Sequence, residues 1–155
     1  MIKEVNFDTL EFRHHTPIQV RFADIDMMNH VNNSVQITYC DVARVEYFEK
    51  VFNMKIGRTA ESLIIASLHI DFYSPTFINE HVHVQNKILQ IGNKSLLMAQ
   101  QIINSDTKDL KTRIVTTLAG YDHLQLKAIA IPGKWKQSIE EFEGSVTYKY
   151  PRNPI

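Results

Sequence analysis

The stretch "SVQITYCDVARVEYFEKVF", residues 34–52, runs for about five helical turns without a glycine or a proline. Val35, Tyr39 and Val42 fall on one side of such a helix, and Ile37, Cys40, Arg44, Phe48 and Val51 spread around the rest. Apolar groups therefore cover most of the circumference, and a helix of that kind is mostly buried. At 1.5 Å per residue it is roughly 28 Å long, the width of a small domain. Asn33 is its expected N-cap, with Gln36 at the third helical position as the capping-box partner.

What surrounds this helix has a different period. Before it, residues 18–24 alternate, with Ile18, Val20 and Phe22 facing one way and Gln19, Arg21 and Ala23 the other, which predicts a half-buried strand. After "NMKIG" the period is two almost to the end: strands are expected over residues 62–73, 81–91, 95–103 and 110–122. Pro75 interrupts the first of these, "GNK" and "NSDTKD" read as hairpin turns, and the parity slips near Asn86 and Lys87, which predicts a bulge. Residues 134–144 read as a short terminal helix. One helix that must bury most of its surface and one sheet that must bury a face have a compact joint solution: an α+β domain over residues 1–155, its antiparallel sheet wrapped around one long central helix. A single such layer leaves a sheet edge and part of the helix uncovered. Pairing of edges between copies is then expected, giving a homodimer or a dimer of dimers.

Composition narrows the function. The 17 basic and 17 acidic residues cancel, against the basic excess of a nucleic-acid surface. The longest apolar run, "LIIASL", is far short of a membrane span, and the N-terminus carries no apolar signal core, so a cytoplasmic protein is expected. The single Cys40 allows neither an internal disulfide nor a cysteine-based metal cluster and is expected to be a small buried hydrophobe. Neither a serine nucleophile elbow nor a phosphate-binding loop nor a dinucleotide fingerprint is present. His81 and His83 share a strand face, and His14 and His15 are neighbours; both pairs read as ordinary surface residues rather than metal ligands. Arg44 and Glu46 read as an internal salt bridge anchoring the helix.

The densest polar cluster is "RFADIDMMNHVNN", residues 21–33, between the first strand and the long helix. On the residues alone, Asp24, Asp26, Asn32 and Asn33 cap the helix and satisfy turn amides. They also place carboxylates beside the N-terminus of a buried helix, whose first N–H groups lack internal partners and carry partial positive charge.

The run "VRFADIDMMNHVNNSVQITYCDVARVEYF" resembles the hotdog-fold acyl thioesterases of the 4-hydroxybenzoyl-CoA thioesterase type, and also the catalytic half of the plant acyl-ACP thioesterases. The resemblance continues through "IDFYSPTFINEHVHVQNKILQIGNKSLLMAQQI" and covers residues 17 to about 122. It implies a hotdog fold and hydrolysis of an acyl-CoA or acyl-ACP thioester without a metal or redox cofactor. Asp26 takes the family's carboxylate position, as nucleophile or as general base for water. The backbone N–H of Asn33 takes the position that polarises the thioester carbonyl. His30 matches the histidine of the plant motif. That motif's intervening asparagine is Met28 here, with Asn29 one place later. Asn32 is expected to orient substrate, and Lys94 matches a basic loop that meets CoA phosphates; Asp24 and the Asn33 side chain are expected to be structural. The alternatives are a hotdog dehydratase or hydratase, and a non-catalytic acyl-thioester-binding module.

Overall fold

The long run forms α1, Asn33–Phe52, in the computed structural model, which describes residues 5–55, 57 and 59–150. Residues 1–4 and 151–155 of the expected domain lie outside the described residues, as do 56 and 58. The N-cap is Asn32, one residue before the expected one: its side chain accepts from the Ser34 N–H at 2.8 Å. Gln36 is not a capping-box partner. It is buried, and its side-chain oxygen accepts a hydrogen bond from the Thr112 hydroxyl. The helix ends at Asn53, a left-handed residue whose N–H closes on the Phe48 carbonyl.

The first strand is displaced from where the alternation predicts it. β1 is His14–Ile18, and residues 22–24 form a 3-10 turn instead. Pro17 and two histidines mask the true strand, which tolerates proline because it is a sheet edge. The false alternation leaves Phe22 86% exposed. The remaining strands follow the period-two reading: β2 is Ser62–Phe72, β3 Val82–Ile91, β4 Ser95–Asn104 and β5 Leu110–Asp122. A two-residue strand β6, Lys127–Ala128, folds back on β5. Then α2, Gly133–Glu143, and β7, Thr147–Tyr148, close the described chain, β7 lying parallel to β3.

The main sheet runs β1-β3-β4-β5-β2, each neighbouring pair antiparallel. The expected parity slip falls two residues later than read, between Ile88 and Gln90. It turns Leu89 to the outer face while Ile88 and Ile91 both face the core.

The sheet closes on α1 in two clusters. Tyr39, Cys40 and Ala43 pack with Val82, Val84, Ile102 and Ile114 near the helix N-terminus. Tyr47, Val51 and Phe52 pack with Ile88, Ile91, Leu96, Leu118 and the α2 residues Trp135 and Ile139 near its C-terminus. Each fully buried side chain of this size is worth roughly 1.5–3 kcal/mol, so the core holds α1 more firmly than its intrinsic helicity does. This is the hotdog arrangement. The segment before β1 covers the outer sheet face, where Phe7 packs on Ala99 and Val115. Val42 on the far side of α1 stays 52% exposed.

Candidate active site

The site is organised by the loop between the 3-10 turn and α1. Ile25 and Val31 form an antiparallel bridge, and the Asp26 N–H donates to the His30 carbonyl at 3.0 Å. The Asn29 N–H returns to the Asp26 carbonyl, with Asn29 at a φ of 66° that asparagine tolerates better than most residues. The segment 25–31 thus makes a closed loop whose ends are tied together. The Val31 N–H donates to the Thr76 carbonyl in the β2–β3 connection at 2.8 Å, and the Asn32 N–H to the Asp24 carbonyl at 2.9 Å.

Asp24 is structural, as expected. Its carboxylate is 2% exposed and accepts from the Arg21 N–H, the Arg21 guanidinium and the Tyr39 hydroxyl. Burial pushes this carboxyl up, but the hydrogen bonds from Tyr39 and Arg21 together outweigh it and leave Asp24 below the usual carboxylate range. Burial and the Asp24 charge push the Tyr39 hydroxyl up, so it stays a donor.

Asp26 sits two residues on and is half-buried. Its Oδ1 accepts from the Met28 N–H at 2.9 Å, an Asx turn. Its Oδ2 has no partner among the described residues. Asn33 is the first residue of α1, and among the described residues nothing accepts from its N–H, whereas Ser34 beside it is satisfied by Asn32. A carboxylate oxygen and a helix-terminal N–H are therefore both open at one end of α1. Such a pair suits attack on a carbonyl and binding of the oxyanion that results.

His30 is half-buried, its Nδ1 3.3 Å from the Val31 carbonyl. Asn32 is exposed, and its Oδ1 is used by the Ser34 N–H and hydroxyl. Lys94 lies elsewhere. It is exposed in the β3–β4 turn, its carbonyl accepting from Gly120, beside the start of β2 and the C-terminal end of α1. The single chain brings Asp26, His30, Asn32 and Asn33 together and leaves Lys94 at the opposite end of the helix.

The remaining candidates resolve into structure. His81 pairs with Asp106, and His83 with Ser105. His14 is not a surface residue. It is buried, accepts from Asn86, and is pushed down to about 4 by burial and by the charges of Lys50 and His15. Arg44 pairs with Asp41 at 2.8 Å and with Gln100, not with Glu46. Cys40 is buried, and burial pushes its thiol up to about 12. Among the described residues no three His, Cys, Asp or Glu side chains gather as a metal site. Nor is any described helix long and apolar enough to cross a membrane. Sequence reasoning does not reach the Thr76 anchor or the Tyr39–Asp24 bond. The two tyrosine hydroxyls among the apolar positions of α1, Tyr39 and Tyr47, each of which needs a buried partner, are the available signal for the second.

Comparison with known proteins agrees with this architecture. An uncharacterized protein of Bacillus subtilis (strain 168), YsmA, is 28% identical over 87 residues, 56% of this chain and 58% of that protein. The chain thus spans little more than half of that relative. The long-chain acyl-CoA thioesterase FadM of Escherichia coli (strain K12) is 22% identical over 128 residues, 81% of this chain and 96% of FadM. A thioesterase of Thermus thermophilus, solved in complex with coenzyme A and zinc, superposes with a TM-score of 0.76 at 23% identity, covering 86% of this chain and 97% of that one. The family described as the thioesterase-like superfamily matches residues 20–140, most of the chain, including the loop, α1 and the strands β2 to β5. The chain belongs to the thioesterase-like superfamily.

Proposed function

We propose that this protein is a single-domain thioester hydrolase that cleaves acyl-CoA to the free acid and CoA thiol. The observation that carries the reading is the open pair at the N-terminus of α1: the Oδ2 of Asp26 and the N–H of Asn33, neither with a partner among the described residues. Family membership and relatives such as FadM supply the substrate class. Asp26 acts as nucleophile or as base for water. The Asn33 N–H, at the positive end of the helix, receives the charge that develops on the thioester oxygen. A thiolate leaves readily, so the site needs no strong general acid. His30 orients the carboxylate or the substrate. Asn32 caps the helix through the Ser34 N–H, leaving the Asn33 N–H free for substrate, and offers its exposed amide nitrogen to the acyl group. Lys94 meets the CoA phosphates.

A homodimer completes the site. β2 starts beside Lys94 and ends beside the Asp26 loop, and its outer edge is unpaired over 11 residues among those described. Two β2 edges pairing antiparallel about a two-fold set the Lys94 end of one copy beside the Asp26 end of the other. Thiol release measured across acyl-CoAs of increasing chain length and an aromatic acyl-CoA tests the reading. Turnover of at least one series well above the uncatalysed rate is expected, and none with any of them would overturn it.

A further inference from the structure

Asp24 and Tyr39 have no part in the chemistry just described, yet their contact ties the base of the Asp26 loop directly to α1. Asp24 Oδ2 accepts from the Tyr39 hydroxyl at 2.6 Å and from the Arg21 N–H at 2.9 Å, and Oδ1 accepts from Arg21 Nη2 at 3.0 Å. Its carbonyl holds the N–H of Asn32, the helix N-cap. The loop from Ile25 to Val31 is closed on itself by the Ile25–Val31 bridge and the Asp26–His30 hydrogen bond; Asp24 holds its base, and the Val31 N–H ties its far end to the Thr76 carbonyl. Asp26 is carried by the loop, and the Asn33 N–H by α1. Tyr39 stands on α1, less than two turns in from Asn33.

The two partners of Asp24 are unequal. The Arg21 side chain is 65% exposed, so its ion pair is solvated and screened. The Tyr39 hydroxyl is buried, and a short O–H···O⁻ bond away from water is of the strong kind. We propose that Tyr39, acting through Asp24, is a positioning residue that fixes the Asp26 carboxylate relative to the N-terminus of α1. The proposal rests on the hydrolase reading for its effect on rate, but not for its effect on the loop. Misplacing a reacting group by about 1 Å costs on the order of a hundredfold in rate, so a single hydroxyl remote from the substrate is felt in turnover.

Tyr39→Phe keeps the ring in the core and removes only the hydroxyl. Amide exchange on the full chain is the first measurement. The Asp26, Val31 and Asn32 N–H groups are expected to lose about tenfold or more of their protection while β4 amides keep theirs. Thiol release is the second. kcat is expected to fall about tenfold or more with KM within about twofold, and the same substitution in an Asp26→Asn background to change the residual rate less than about twofold. Unchanged loop protection, a uniform loss of protection across all strands, or an equal loss of rate in both backgrounds would overturn the proposal. So would an Arg21→Ala variant that loosens the loop as much as Tyr39→Phe does. A parent that releases no thiol defeats the hydrolase reading instead, and the exchange pattern still decides whether Tyr39 holds the loop.

Discussion

Glu143 has no exposed side-chain surface, and the groups around it explain how a carboxylate is tolerated there. Lys87 Nζ lies 3.1 Å from one carboxylate oxygen, while the Tyr47 hydroxyl and the Ile88 N–H donate to the other at 2.6 and 3.0 Å. One side chain thereby fastens α2 to both α1 and β3. The geometry makes the pair intolerant of losing a partner. Glu143→Gln turns an amide nitrogen toward Lys87 and strands a buried ammonium, and breaking such pairs costs about 3–5 kcal/mol. Urea unfolding of Glu143→Gln should show a loss of about 3 kcal/mol with an unchanged m-value. A loss under about 1 kcal/mol would contradict the buried pair.

At the scale of elements, β1 joins β3 through its backbone ladder, and its first residue, His14, is a buried histidine whose neutral form burial favours. His14 accepts from Asn86 on β3, and its ring edges onto Tyr47 of α1. In the unfolded chain it takes a proton near its ordinary 6.5; in the fold it resists until about 4. Between those values the unfolded state binds more protons, so stability falls as pH drops through the window and is fully present above it. Urea midpoints measured from pH 7 to pH 4 should decline for the parent and decline less for His14→Asn; parallel curves would mean that His14 is not the group responsible. The same strand shows what a sequence can and cannot disclose. Long elements are legible because their patterns extend over many residues: α1 from a run free of glycine and proline with apolar groups around most of its circumference, β2 to β5 from period two. β1 is not, because so short a strand with two histidines and a proline carries no period. The alternation over residues 18–24 misleads because the Asp24 carboxylate captures the Arg21 N–H and winds the backbone into a turn. The polar loop is legible as a candidate site. The division of labour inside it is not, because Asp24 is set apart from Asp26 by Tyr39, a residue 15 positions away.

For the whole molecule, the unpaired β2 edge and the side of α1 that carries exposed Val42 are, among the described residues, the features left over once one chain has folded. Ile65, 44% exposed near the middle of β2, sits where two edges would meet. An edge of this length with apolar side chains invites a second strand. Light scattering should give a dimer at micromolar concentration, and Ile65→Lys, which sets like charges near the two-fold, should shift it toward monomer and weaken turnover together with assembly. A parent that is monomeric at that concentration would remove the shared site.

Hydrolysis is expected to depend on one carboxylate, that of Asp26. Asp26→Asn keeps the size of the side chain and an oxygen able to accept the Met28 N–H, so the Asx turn survives. What it removes is the negative charge on the open oxygen. Thiol release from a good acyl-CoA substrate, measured on parent and Asp26→Asn alongside thermal melts, separates a turn residue from a chemical one. We expect an unchanged melt and a rate lower by a factor on the order of a hundred or more. Near-parental turnover in a folded Asp26→Asn protein would contradict the mechanism.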